Sequence, residues 1–298
     1  MGSLGKRLLE NAGGAALLRL QRSLSKKPDS KIERIGERLG RLLFRTAKRR
    51  RARAISNLEL AFPELSLEER TDLARRVFVH FGRASADFLA SKGRTLHSME
   101  SSTEIVGREI LDKALEEGKG VLLIAGHFGN FERIPAWVSL AGYPMSVVIR
   151  NADQEGVNQV VNELRTGPGT RVIPRGNSAK PILERLRKNE VVGIISDQNA
   201  EDMFLPFFGH LAGTNLGAGV IQERTGSPAV PSYCVYLGPG RYRLVFCEPL
   251  VPVPDCEVKG EGLLRAMNTW LEGVIREHPE QWLWFHDRWR NAREEGLL

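Results

Sequence analysis

The apolar and polar positions of this 298-residue chain change rhythm near residue 104. Before that point apolar residues recur every three or four positions: Ile32, Ile35, Leu39, Leu42 and Leu43, then Leu73, Val77, Phe81, Ala84 and Phe88. An α-helix turns once in about 3.6 residues, so each set falls on one helical face. Beyond residue 104 the apolar residues gather into short unbroken runs: VLLIAG (121–126), MSVVIR (145–150), RVIPR (171–175) and VVGIISDQ (191–198). Segments of helical rhythm separate them, at 131–142, 157–165 and 179–189. Continuous apolar strands alternating with amphipathic helices predict a largely parallel sheet covered on both faces. AVPSYCVYL (229–237) and YRLVFCEPL (242–250), joined by GPGR, predict an antiparallel pair at the sheet's end. A last helix, about 261–277, leads into HPEQWLWFHDRWR (278–290).

The predicted fold class is therefore α/β, a largely parallel central sheet flanked by helices, with a basic helical region in front. Pro63 interrupts the N-terminal helices, and Ser66 with Glu69 forms a capping box that starts the next one. The polar stretch SKGRTLHSMESS (91–102) reads as a surface linker. Three regions result: 1–55, basic, amphipathic and membrane-associating; 56–103, a helical subregion packed on the main domain; and 104–298, the α/β domain.

Charge sharpens this division. Residues 1–53 hold 16 Lys and Arg against 4 Asp and Glu, a net of +12, and the remainder hold 27 against 32, a net of −5. A basic segment of this density seeks a polyanion. Its basic residues are interleaved with helical apolar repeats, and no nucleic-acid-reading signature accompanies them. The partner expected is an anionic lipid surface rather than nucleic acid. No apolar run reaches 18 residues, and Glu10, Asn11 and Arg19 break the opening segment. Three cysteines, Cys234, Cys247 and Cys256, match neither a disulfide scaffold nor a zinc site.

The candidate chemistry lies in IAGHFGNFERIP (124–135). Ligands of open α/β sheets bind beyond the carboxyl ends of the strands, and His127 falls there, directly after VLLIAG. On one straight helix, His127 and Glu132 would point about 140° apart. Gly126 and Gly129 permit a break between strand and helix, which would let Glu132 turn back to the imidazole. A carboxylate on one ring nitrogen fixes the tautomer and leaves the other free to accept a proton. Asp197 and Gln198, Arg150, and Arg175 end three further strands, so the same rim is expected to collect all of them. G-x-S-x-G is absent, and no Ser or Cys neighbours the histidine, so the proton would come from the substrate itself. Taken alone, H-x-x-x-x-E is also compatible with a histidine that caps a helix.

The surroundings are more specific. IAGHFGNFE, ISDQNA, FLPFFG (204–209), Thr214 and HPEQWLWFHDRWR, in this order, resemble the bacterial late (lauroyl/myristoyl) acyltransferases of lipid A biosynthesis. The likeness runs from about Asn57 to Arg290. It implies transfer of a fatty acyl chain from acyl carrier protein, or from coenzyme A, to a hydroxyl of a glycolipid at the cytoplasmic face of the bacterial inner membrane. By this resemblance His127 is the general base and Glu132 its partner. Arg150, Arg175, Asp197, Gln198 and Asn130 contact substrate, and Phe128, Phe131, Phe207 and Phe208 are candidates for the acyl pocket. No metal or cofactor is implied beyond the acyl thioester. One departure is that family members commonly carry an apolar N-terminal anchor, whereas this N-terminus is broken and basic. Other readings are a coenzyme-A-dependent enzyme acting on a phosphatidylinositol mannoside or ornithine-type lipid, and a non-catalytic lipid- or nucleic-acid-binding protein of the same fold. PFFG (206–209) could equally fill the core. The C-terminal tryptophans read as a cluster packed on the sheet, and His286 as structural.

Overall fold

The computed structural model describes the backbone of residues 3–150 and 154–298, and side chains from residue 13 onward except at 151–153 and 177. Residues 1 and 2 of the expected basic region, and the side chains of 3–12, lie outside the described residues. Helices α1 (Ser3–Leu24), α2 (Asp29–Thr46), α3 (Lys48–Ala61) and α4 (Leu67–Ala90) open the chain, followed by the short α5 (Leu96–Glu100). Strands and helices then alternate through β1 (Thr103–Val106), α6 (Arg108–Glu116), β2 (Val121–Ala125), α7 (Arg133–Leu140), β3 (Met145–Ile149), α8 (Glu155–Thr166), β4 (Arg171–Pro174), α9 (Ala179–Arg187) and β5 (Val191–Ile195). A hairpin of β6 (Met203–Phe207) and β7 (His210–Thr214) precedes α10 (Gly217–Thr225), β8 (Ala229–Gly238), β9 (Arg241–Phe246), α11 (Glu261–Glu277) and α12 (Arg290–Glu294).

Seven strands form one sheet in the order β1-β9-β8-β2-β5-β3-β4. All neighbours are parallel except β8 and β9. The mostly parallel sheet and its flanking helices match the expectation. The antiparallel pair does not end the sheet, because β1 pairs with β9 and forms the edge. β1 is only TEIV, with alternate residues exposed, and so gives no continuous apolar run. The stretch 91–102 is more than a linker: α5 sits in it, started by a capping box between Thr95 and Ser98. FLPFFG lies in the β6–β7 hairpin.

β2 is the central strand, and its VLLIA is buried at every position. On one face Val121, Leu123 and Ala125 pack with Leu111, Ile134, Trp137 and Val138; on the other Leu122 and Ile124 pack with Ile182, Leu186, Leu264 and Met267. A third cluster joins the N-terminal helices to the chain's end, bringing Leu58, Leu73, Val77 and Phe78 against Phe128, Phe207, Trp282, Trp284 and Trp289.

α2 and α4 cross at a separation only glycine allows. A β-carbon at Gly40 would lie 2.3 Å from the Phe78 carbonyl oxygen, and one at Gly82 would lie 2.2 Å from that of Gly36. This crossing turns Ile32, Gly36 and Gly40 inward. It leaves Leu39, Leu42 and Leu43 exposed, at 37%, 54% and 41% of their surface. The single apolar face read from the sequence is thus divided between α4 and solvent. Among the described residues, no helix is long and apolar enough to cross a membrane.

Candidate active site

β2 delivers His127 to the carboxyl end of the sheet, and the turn that follows is fixed by backbone bonds. Gly129 N–H donates to the Gln281 carbonyl and Asn130 N–H to that of Cys234, both at 2.7 Å. Gly129 has φ +60°, and a β-carbon there would meet the Cys234 carbonyl oxygen at 2.0 Å, so glycine is required on both counts. His127 is thereby turned out of the strand, with 22% of its side chain exposed.

The carboxylate behind His127 comes from the end of β5. Asp197 Oδ1 lies 2.6 Å from His127 Nδ1, and Asp197 Oδ2 accepts the His127 backbone N–H at 2.7 Å. The Trp282 indole N–H donates to the same Oδ2 at 2.9 Å. Burial raises the Asp197 carboxyl, but the charge of His127 and these donors outweigh it and hold it down at about 2. An ionised Asp197 places the ring proton on Nδ1. The lone pair of Nε2 then points outward, where Gln198 Nε2 lies 3.4 Å away. Phe131 and the imidazole pack in a T-shaped arrangement, with 5.1 Å between ring centroids.

Glu132 does not hold the imidazole. It stands at the start of α7 and gives its carboxylate to Arg165 of α8, with Nη2 to Oε1 at 2.5 Å and Nε to Oε2 at 3.1 Å. The bidentate guanidinium claims both oxygens, and the parallel pairing of β2 with β5 supplies Asp197 in its place. Asn130 is also redirected. Its amide donates to Asp87 at 2.7 Å, inside a buried network in which Arg133 and Arg94 both bind Asp87. Burial opposes ionisation of Asp87, but the two guanidinium groups keep its carboxyl far below the ordinary range.

Two cavities meet at His127. One, of about 590 Å³, is lined by His127, Phe131, Arg150, Arg165, Arg175 and Gln198, with apolar walls from β3, β5, α9 and α10. The other, of about 350 Å³, is largely apolar and runs between α2, α4 and the C-terminal segment, past Leu39, Leu43, Phe78, Ala84, Phe88 and Phe285. His127 and Phe131 belong to both. The structure therefore brings together His127, Asp197, Gln198, Arg150, Arg175 and Phe131. Phe128, Phe207 and Phe208 line neither cavity; they are buried in the aromatic core with Trp282 and Trp284. Arg165 was missed by the sequence reading, because a basic residue in a helix's last turn has an ordinary role in satisfying the dipole. Among the described residues, no group of three or more His, Cys, Asp or Glu is arranged to hold a metal.

The same site occurs in a chain that matches known proteins over most of its length. The profile of the bacterial lipid A biosynthesis acyltransferases fits residues 8–291. The lipid A biosynthesis lauroyltransferase of Escherichia coli K12 is 27% identical over 275 residues, 89% of this chain and 87% of that protein. The lipid A biosynthesis palmitoleoyltransferase of the same organism is 28% identical over 269 residues, 86% of this chain and 84% of that protein. The phosphatidylinositol mannoside acyltransferase of Mycobacterium tuberculosis is 25% identical over 193 residues, 62% of this chain and 59% of that protein. The chain belongs to the bacterial lipid A biosynthesis acyltransferase family and is an acyltransferase.

Proposed function

We propose that this protein transfers a fatty acyl chain from an acyl-carrier-protein thioester to a hydroxyl of a lipid A precursor or a similar glycolipid, with His127 as general base. The observation that carries this reading is the place of His127 Nε2, open to an arginine-lined cavity and an apolar one and backed by an ionised Asp197. Nε2 takes the proton of the acceptor hydroxyl as its oxygen attacks the thioester carbonyl. The tetrahedral intermediate collapses with cleavage of the carbon–sulfur bond, and the imidazolium returns the proton to the thiolate. General-base catalysis of this kind is typically worth ~10²–10⁴-fold. The groups at the two ring nitrogens, the Asp197 carboxylate and the Gln198 amide, are neither a hydroxyl nor a thiol that the imidazole could activate, which favours direct transfer without an acyl-enzyme.

In this reading the arginines take the anionic part of the acceptor, since a guanidinium binds phosphate through paired donors. Glu132 orients Arg165 for that task. The apolar cavity takes the acyl chain. Its mouth at Leu39 and Leu43 adjoins exposed Leu42 and the exposed Arg41, Arg45, Arg49 and Arg50, a surface suited to an anionic leaflet or an acidic carrier protein. A coenzyme A donor with a mannolipid acceptor is the second reading, favoured by the similarity to the phosphatidylinositol mannoside enzyme.

Two assays separate these readings. Lipid mass spectrometry of cells lacking the protein should reveal one glycolipid short of one acyl chain. Purified protein should transfer from acyl carrier protein thioesters faster than from coenzyme A thioesters. A mannolipid as the only species altered, together with preference for coenzyme A, would select the second reading.

A further inference from the structure

Asp197 is gripped from outside the sheet as well as from within it. The C-terminal segment supplies the Trp282 indole N–H to Oδ2 and also holds the chain just beyond the acid. His286 Nε2 accepts the Asn199 backbone N–H at 3.1 Å, Asn291 Oδ1 accepts from the Asn199 amide at 2.8 Å, and Asn291 Nδ2 donates to the Ala200 carbonyl at 3.0 Å. Asn57 of α3 fixes the segment in turn, donating to the Trp284 and His286 carbonyls at 2.8 and 2.7 Å.

Aromatic packing alone does not call for an indole donor here. Trp289 is as deeply buried as Trp282 and packs in the same cluster against Phe207, yet its N–H finds no partner. The Trp282 donor, by contrast, meets the carboxylate oxygen that also receives the His127 backbone N–H. With Oδ2 pinned by two donors, the carboxylate cannot rotate, and Oδ1 stays aimed at Nδ1.

We propose that Trp282 is a positioning residue for acyl transfer: its indole N–H fixes the Asp197 carboxylate against His127, so that the C-terminal aromatic segment sets the geometry of the base. This rests on the reading of His127 as that base. The donor is neutral and does not titrate, so it holds the carboxylate at any pH. The other charged or titratable groups near the pair are His286 and Arg288 on the same segment, Arg150, Arg165 and Arg175 around the larger cavity, and Glu132, which is bound to Arg165. None of these is altered by a change at 282.

The test compares Trp282→Phe with Trp289→Phe in the full chain, two indole-to-phenyl replacements in one cluster, of which only the first removes a bond to Asp197. Trp282→Phe should lower kcat roughly ten- to hundredfold, as expected for loss of a hydrogen bond to a charged group, with the KM for the acceptor within a few-fold. It should also move the acid limb of the kcat/KM profile to lower pH, because a carboxylate no longer pinned against Nδ1 stabilises the imidazolium less. Trp289→Phe should leave the profile in place even if it lowers Tm as much. Equal losses with an unmoved profile in both would overturn the proposal. If Trp282→Phe does not fold, the indole ¹⁵N–¹H resonance of Trp282 provides the check, since it should shift in Asp197→Asn; an unchanged resonance would refute the contact. A His127→Ala protein that remains active defeats the base reading itself. An inactive His127→Ala, beside a Trp282→Phe indistinguishable from Trp289→Phe, defeats only the present inference.

Discussion

Asp197 Oδ1 stands 2.6 Å from His127 Nδ1 across 70 residues of sequence, because β2 and β5 run side by side with Ala125 in register with Ile195. Adjacent parallel strands end together, so residues just past those ends face each other. The acid is almost fully buried and the imidazole partly open, which divides the work: one side chain is held, the other reaches substrate.

Stability should fall in two stages as pH is lowered. His80 and His286 are held down at about 4 by burial, against an ordinary 6.5, so the unfolded chain binds more protons than the folded one between those values. Asp197 at about 2 and Asp87 lower still, against an ordinary 3.8, add a second decline below about pH 4. Every tenfold difference in proton affinity between the folded and unfolded chain corresponds to about 1.4 kcal/mol. Thermal unfolding should show Tm falling from about pH 6.5 and more steeply below 4, and His286→Gln should flatten the first stage. A Tm constant from pH 7 to 4 would contradict the burial assigned to these histidines.

Glu132 and Arg165 should behave as one unit. Groups in direct contact give non-additive effects, so Glu132→Gln and Arg165→Met should each impair transfer, and the double variant should be no worse than the worse single. The effect should fall largely on the KM of the anionic acceptor, which should rise. Additive losses would indicate that Glu132 acts elsewhere.

Ala84 of α4 lines the apolar cavity. Ala84→Phe should shift donor preference toward shorter acyl chains, read by competition between thioesters of different length. Unchanged selectivity would place the chain elsewhere.

Leu42 is 54% exposed and lines neither cavity at His127. If this face lies on a bilayer, Leu42→Asp should weaken flotation with vesicles containing anionic phospholipid by roughly tenfold, from the lost apolar contact alone. Added salt should weaken it further by screening the neighbouring arginines. Flotation indifferent to both changes would remove the membrane from this face.

The sheet was readable from the sequence because its central strands are uninterrupted apolar runs, and VLLIA is buried throughout. β1 was not, since four residues with two exposed carry no such run. His127, Asp197, Gln198, Arg150 and Arg175 were reachable from strand ends alone. Which acid serves the histidine depends on strand order, and no local pattern encodes that β5 rather than β3 neighbours β2. Spacing favoured Glu132 because it is near in sequence, whereas its real partner, Arg165, arrives on α8 from 33 residues away. Phe207 and Phe208 are as apolar as any pocket lining, and only the β6–β7 hairpin turns them into the core.

Whether the His127–Asp197 pair drives the reaction is decided most sharply by kcat/KM for acyl transfer in Asp197→Asn. The amide keeps the shape and removes the charge that stabilises the imidazolium. A loss of ~10²-fold or more is expected, with little change in KM and with the protein still folded. Activity within a few-fold of the unmodified enzyme would contradict the role assigned to this carboxylate in supporting the base.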